Sequence, residues 1–208
     1  KFLPPESIVL ELGARNAYAS RCINKKISIK TNQLSVEPNE EFRNKLEDLS
    51  KKLNFKIFIG AISNKELYLN DIFIHLKKEK DQEGPLYYKS SEIKNGPKIN
   101  TIKYDELLKK YNLKFDAIIA DCEGALPKIF EENPKLFKEL KYLQLEWDWG
   151  KKSCEEFRNK LLQNNFIPIA QIKHFANNIM GPISHNIGHE VFIKKILFFL
   201  RPRDLKKM

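Results

Sequence analysis

The chain has 208 residues, 42% hydrophobic and 31% charged, the balance of a folded globular protein rather than a disordered one. Lys and Arg outnumber Asp and Glu by 37 to 27, a net charge of +10. The excess is mostly Lys dispersed along the chain, with no basic block interleaved with aromatics, so nucleic acid is a poor candidate partner. No run approaches the 18 or so apolar residues of a membrane-spanning helix.

The chain opens at Lys1 without an apolar signal segment and without an initiator Met. At 208 residues a single domain over 1–208 is the expectation, and the missing Met suggests a piece excised or processed from a longer chain. Cys22, Cys122 and Cys154 are odd in number, far apart and without a Cys-x-x-Cys. That argues against a disulfide framework or a zinc site and fits a reducing, cytoplasmic compartment.

In chain order, the apolar run Ile8–Leu12 closed by Gly13 predicts a buried strand, and a helix follows from Asn16 to about Asn24. Leu34–Glu37 is a second strand. After Pro38, Asn39 can cap a helix whose apolar positions Phe42, Leu46, Leu49 and Leu53 recur at helical spacing. Phe55–Ile59 is a third strand, ending at Gly60-Ala61-Ile62. Over 66–93 the apolar residues alternate instead, which predicts a β-rich insertion carrying His75.

The strand–helix rhythm resumes with a helix at Tyr104–Tyr111 and a strand at Phe115–Ala120. A helical segment at Gly124–Phe137 follows, with Pro127 in its first turn. Tyr142–Leu145 is a strand, and Ser153 can cap a helix at Cys154–Leu162. Phe166–Ile172 and Glu190–Ile193 are the last strands. Between them, 173–189 reads as a long loop holding His174, His185 and His189.

Strands alternating with helices imply a mostly parallel α/β sheet, and ligands of such sheets bind at the carboxyl ends of the strands. Those ends carry Glu11, Glu37, Asp121 and Glu146. Buried acids are costly unless something binds them.

Glu11-Leu12-Gly13 opens a strand–turn–helix corner, where Gly13 permits a backbone conformation or a close ligand approach that a side chain would block. The three glycines of a dinucleotide fingerprint are missing, since Ala14, Arg15, Asn16 and Ala17 follow. A ligand without a pyrophosphate suits the corner better, and an NAD-dependent oxidoreductase is disfavoured. Glu37, 26 residues after Glu11, can present two acceptors to a ribose diol. It can equally be an acid favoured by the dipole of the following helix.

Asp121-Cys122-Glu123-Gly124 places two carboxylates about a strand-to-helix corner. Asp121 can serve as general base, metal ligand or hydroxyl acceptor, and Glu123 can do the same or cap the next helix. In Glu146-Trp147-Asp148-Trp149, indoles beside acids suit a sugar ring, with core packing as the alternative for at least one Trp. Asp121, Glu146 and Asp148 together offer oxygen ligands for a divalent metal such as Mg or Mn. His174, His185 or His189 can act as a base near neutral pH.

The order of these motifs resembles the FkbM family of S-adenosylmethionine-dependent O-methyltransferases. The matching pieces are Val9–Asn16 (Val-Leu-Glu-Leu-Gly-Ala-Arg-Asn), Val36-Glu37-Pro38-Asn39, Gly60-Ala61-Ile62-Ser63, Ile99–Ile102 with Tyr104–Leu107, and Ile119–Ala125. They run over roughly residues 8–150, and His189–Ile193 is similar to the family's closing strand.

The resemblance implies a class I methyltransferase fold, a Rossmann-like three-layer sandwich around a seven-stranded, mostly parallel sheet with an antiparallel last strand. It implies that Glu11, Gly13, Ala14 and Asn16 lie along the cofactor and that Glu37 and Pro38 hold its ribose. Ala61 and Ile62 would flank the adenine, and Asp121 would lie near the methionine end, with Glu123 facing the acceptor. It further implies a hydroxyl acceptor on a carbohydrate or glycoconjugate. Glu146, Trp147 and Asp148 are the expected substrate-binding residues, and Asp121, Glu123 and His174 the expected catalytic ones.

Two departures stand out. The first acid is Glu11 rather than Asp, and Ala17 replaces the family's second glycine, which would crowd the helix start. The rival functions are an RNA methyltransferase, drawing on the basic charge, and a cofactor-binding module without chemistry.

Overall fold

A computed structural model describes residues 2–71, 88–147, 151–172 and 189–195. Its centre is a seven-stranded sheet built from β1 (Val9–Leu12), β2 (Gln33–Glu37), β3 (Lys56–Ile59), β8 (Ala117–Ala120), β9 (Tyr142–Glu146), β10 (Phe166–Ile172) and β11 (His189–Lys194). The spatial order is β10-β11-β9-β8-β1-β2-β3. β11 runs antiparallel to both its neighbours, whereas the pairings among β3, β2, β1, β8 and β9 are all parallel. This is the predicted α/β architecture, with the antiparallel strand last in the chain.

Two small sheets sit beside it. β4 (Ala61–Ile62) pairs in parallel with β7 (Thr101–Ile102), and β5 (Tyr68–Asp71) pairs antiparallel with β6 (Tyr88–Ser91). The second pair is the described part of the β-rich insertion. His75 and the rest of 72–87 lie outside the described residues.

The strands at the centre read as continuous apolar runs because both faces are covered. Leu10 and Leu12 of β1 pack with Tyr104 and Leu107 of α3 (Tyr104–Tyr111), Phe130 of α4 (Leu126–Glu132) and Phe157 of α6 (Lys151–Gln163). Val9 faces the other way, onto Ile23 and Ile27 at the end of α1 (Tyr18–Lys26). Leu46 of α2 (Arg43–Leu53) packs on Ala14, Ala17 and Ile59. Asn39 caps as predicted, its side chain accepting from the Glu41 N–H, but it caps a short 3-10 turn at Glu40–Phe42 that leads into α2.

Two helix expectations change. The segment expected at Gly124–Phe137 is α4 followed by α5 (Leu136–Glu139), broken at Asn133-Pro134. Asn133 takes φ −136° and ψ 68°, out of the helical region that the ring of a following proline disfavours. Helix α6 begins at Lys151, so Ser153 lies inside its first turn rather than capping it.

The carboxyl ends of β1, β2, β3, β8 and β9 open on one edge of the sheet. Because β11 is antiparallel, it contributes its first residue to that edge, with His189 in register with Glu146.

Candidate functional site

An open cleft lies over these strand ends. Its floor comes from Leu12, Gly13 and Arg15 after β1, Val36–Asn39 at the end of β2, Gly60–Ser63 after β3, and Asp121–Ala125 after β8. Its outer wall includes Lys65, Ser90 and Glu92 from the insertion side and Lys128 and Glu132 from α4.

Gly13 is required by the fit of two strands. Its φ is +84°, and a Cβ there would stand 1.7 Å from the backbone oxygen of Asp121. No side chain can occupy that gap, and the Asp121 N–H donates to Leu12 O at 2.9 Å across the same seam. The turn after β8 is equally tight, with Glu123 at φ 50° and Gly124 at φ 80°.

Glu37 is buried at the cleft floor. Its two oxygens accept from different backbone amides, Oε1 from Asn39 and Oε2 from Arg15, each at 2.8 Å. Burial pushes its carboxyl up from the ordinary range, and the two amides and the Arg15 charge pull it back. A carboxylate oxygen accepts more than one hydrogen bond, so both retain capacity toward the cleft.

Asp121 lies at the far end, exposed to the cleft and hydrogen-bonded to Glu146. Partial burial and the neighbouring Glu146 charge raise its carboxyl to about 6, while Arg15 opposes the shift. Below that pH two carboxyls in such contact share a proton, because like charges so close resist joint ionisation. His189 Nε2 stands 3.9 Å from Glu146 Oε2, extending the line from β8 through β9 to β11.

Several expected site residues stand elsewhere. Glu11 is buried beneath the floor and does not line the cleft. Its side chain points to the α1 face, where Oε2 accepts from Ser20 Oγ at 2.7 Å, from Ser35 Oγ and from Gln33 Nε2. Burial raises its carboxyl above the ordinary range.

Ala14 is buried against α2, and its N–H donates to Val36 O at 3.1 Å. Asn16 is exposed and accepts from Lys45 Nζ at 3.0 Å, off the cleft. Ala17 is a left-handed N-cap at φ 60°, with its methyl group among Ala14, Leu46 and Ile59. It therefore crowds neither the helix start nor the cleft.

Trp147 is a core residue. It is buried edge-on against Phe157 and Phe192, and its Nε1 donates to Glu190 Oε2 at 3.1 Å. No face is open for a sugar ring. Glu146 stands behind Asp121, outside the cleft lining. Glu123, Pro38, Ala61 and Ile62 do line the cleft as expected. The N-cap position of helix α4 is Ala125, two residues after Glu123. Asp148, Trp149, His174 and His185 lie outside the described residues.

Among the described residues no group of three His, Cys, Asp or Glu side chains is arranged to hold a metal ion. Asp121 and Glu146 are paired with each other. The three cysteines carry free thiols. No described helix is long and apolar enough to cross a membrane.

Sequence reading missed Arg15, whose neighbours Gly13 and Asn16 drew the attention, and the Asn39 amide that binds Glu37. It also missed the meeting of His189 with Glu146, for which a linear sequence carries no signal.

No protein-family model matches the chain, and no curated protein matches it in sequence. Its fold does match solved structures. Fibrillarin from Aeropyrum pernix, in complex with natively bound S-adenosyl-L-methionine, aligns over 91% of this chain and 67% of that one, with TM-score 0.54 and 9% identity. Fibrillarin from Methanococcus jannaschii, a pre-rRNA processing protein, aligns over 93% and 70%, with TM-score 0.52 and 15% identity. A Streptococcus pneumoniae protein assigned as a tRNA (m1A22) methyltransferase, in complex with S-adenosyl-L-methionine, aligns over 99% and 73%, with TM-score 0.51 and 14% identity. At these identities the likeness is one of fold, that of the class I S-adenosylmethionine-dependent methyltransferases.

Proposed function

We propose that the chain is an S-adenosylmethionine-dependent O-methyltransferase whose acceptor is a hydroxyl of a sugar in a glycan or glycoconjugate. The observation that carries the reading is a single cleft containing the Gly13 turn, the Glu37 carboxylate, the Ala61-Ile62 wall and Asp121. The residues present fit the cofactor. Each Glu37 oxygen is fixed by one amide and keeps acceptor capacity for a ribose hydroxyl, and Gly13 lets the turns after β1 and β8 close together beneath the cleft. The FkbM-type assignment, and with it the sugar, rests on the motif order in the sequence.

When bound, S-adenosylmethionine supplies an electrophilic methyl group. The chain must then orient one hydroxyl and take its proton. We assign that step to Asp121, which lines the cleft. A base near 6 is mostly ionised at neutral pH yet still basic enough to accept the proton. Glu146 is hydrogen-bonded to it, and His189 stands beside Glu146.

A Mg or Mn ion is not used in this scheme. Two of its expected ligands, Asp121 and Glu146, are hydrogen-bonded to each other, and the third, Asp148, is outside the described residues.

Asp121→Asn tests the assignment. Methyl transfer to a sugar hydroxyl should fall by about 10²–10⁴-fold with the fold intact. Wild-type turnover should rise as pH passes about 6, where Asp121 loses its proton. Near-normal turnover by a folded Asp121→Asn protein would sink the role.

An RNA acceptor is the second reading, favoured by the +10 charge and by the fibrillarin and tRNA methyltransferase likenesses. It predicts RNA binding that weakens steeply with salt and methyl transfer into RNA. A binding module without chemistry would bind the cofactor in a calorimeter and transfer nothing to either acceptor.

A further inference from the structure

Helix α4 leads directly from the corner that holds Asp121. Ala125 of that corner is its N-cap, Pro127 stands in its first turn, and Leu126, Ile129 and Phe130 are buried in the core. Its last turn is closed by Asn133, whose Nδ2 donates to Ile129 O at 2.9 Å, and Pro134 stops it there. Seven helical residues span about 10 Å. The helix is a short strut of fixed length.

Glu132 is its last residue. The helix dipole disfavours an acid there, because the partial charge at a C-terminus is also negative. Helix stability therefore gives no reason for this side chain, whereas its partners do. Oε1 accepts from Ser63 Oγ at 3.1 Å and Oε2 accepts from the Asn64 N–H at 2.7 Å, across 69 and 68 positions of chain. Ser63 is buried, and its Oγ also accepts from the Lys65 N–H at 3.0 Å.

Ser63 and Asn64 directly follow β4, whose Ala61 and Ile62 form the cleft wall assigned to the adenine. β4 is only two residues long and pairs with β7 through few bonds, the Ala61 N–H to Asn100 O at 2.8 Å and the Ser63 N–H to Ile102 O at 3.0 Å. Glu132 gives it a second tie, to the helix that starts at the Asp121 corner. The neighbouring link from α4, Lys128 to Glu92, is exposed and 4.0 Å long, so it is a weak substitute.

Resting on the methyl-donor reading of the cleft, we infer that Glu132 is a positioning residue: through Ser63 and Asn64 it holds the adenine wall at a fixed distance from the Asp121 corner. It acts through the wall and not on the reacting atoms. The wall is then already in place when the cofactor arrives, and its ordering is not charged to binding.

The test is calorimetric titration of the full chain with S-adenosylhomocysteine, at a temperature where circular dichroism shows each protein folded. Glu132→Gln keeps an acceptor for the Asn64 N–H and offers an amide N–H to Ser63 Oγ, so its dissociation constant should stay within about twofold of wild type. Glu132→Ala loses both bonds, leaves the wall to be ordered on binding, and should weaken the ligand by about tenfold. Should that variant not fold, Glu132→Asp, one methylene shorter and unable to reach both donors, takes its place with a loss in the same direction. An acid serving stability alone would lower the unfolding temperature of these variants and leave the dissociation constant unchanged. That result, or a Gln variant as weak as the Ala variant, overturns the inference and leaves the methyl-donor reading standing. Wild type that does not bind S-adenosylhomocysteine overturns that reading, and the inference with it.

Discussion

At Ala17 two small energies oppose each other. The left-handed backbone at φ 60° costs a non-glycine residue on the order of 1 kcal/mol. The methyl group is fully buried against Leu46 and Ile59, which returns about 0.8 kcal/mol. Ala17→Gly should therefore leave stability within ~0.5 kcal/mol of wild type in urea unfolding. A loss above about 2 kcal/mol would mean that packing, not backbone conformation, decides this position.

Asp121 makes an opposite pair of pH predictions. Its folded-state value of about 6 lies above the ordinary 3.8. Between these values the folded protein holds a proton that the unfolded chain has lost, so stability falls as pH rises through that window. Asp121→Asn removes this dependence and should gain stability relative to wild type between pH 4 and 7. The gain should stay below about 1 kcal/mol, because the side chain is open to solvent. Turnover moves the other way, rising in wild type over the upper part of the same window. Urea unfolding at pH 4.5 and 7.5 beside a rate profile separates the two effects.

At the scale of elements, the end of the sheet is held by one buried carboxylate. Glu190 of β11 accepts from Arg158 Nε and Nη2 on α6, from Trp147 Nε1 after β9 and from Gln171 Nε2 on β10. Three strands and a helix thus meet on a side chain with no solvent exposure. Glu190→Ala would leave the buried Trp147 N–H without its acceptor, while the partly exposed Arg158 and the exposed Gln171 can turn to water, and should cost about 1–3 kcal/mol. A shift in the urea midpoint at unchanged slope would show it, and a midpoint matching wild type would remove this account of the sheet's edge. The same network holds Trp147 in the core, which is why a tryptophan beside acids is not a sugar platform here. The break between α4 and α5 was legible in Pro134. Helical periodicity alone carries across such a residue, and steric conflict with the preceding backbone does not allow it.

For the whole molecule, the cleft makes a prediction independent of any acceptor. A ligand bound only by the folded state adds stability by mass action. S-Adenosylhomocysteine at about a hundred times its dissociation constant should raise the unfolding free energy by about 2.7 kcal/mol. A thermal scan that moves with neither this ligand nor the methyl donor would remove the adenosyl site from the strand ends.

The sequence by itself determined the strands, their rhythm with the helices and the acids at their carboxyl ends. Those follow from local apolar runs, glycine and proline turns, and the alternation that covers both faces of a parallel sheet. It also marked Gly13, Glu37 and Asp121, because each lies next to a turn that the sequence shows. Only the tertiary structure decided which of the acids face a ligand. β1 sends alternate side chains to opposite faces, so Glu11, one residue before the strand's last position, points into the α1 face and is satisfied by Ser20, Ser35 and Gln33. Only the sheet order brought His189 to Glu146 and Glu146 to Asp121, across separations in the chain that no local pattern encodes. Arg15 lay in plain view beside Gly13. Its place in the cleft depends on a left-handed turn fixed by Glu37, 22 residues further along the chain.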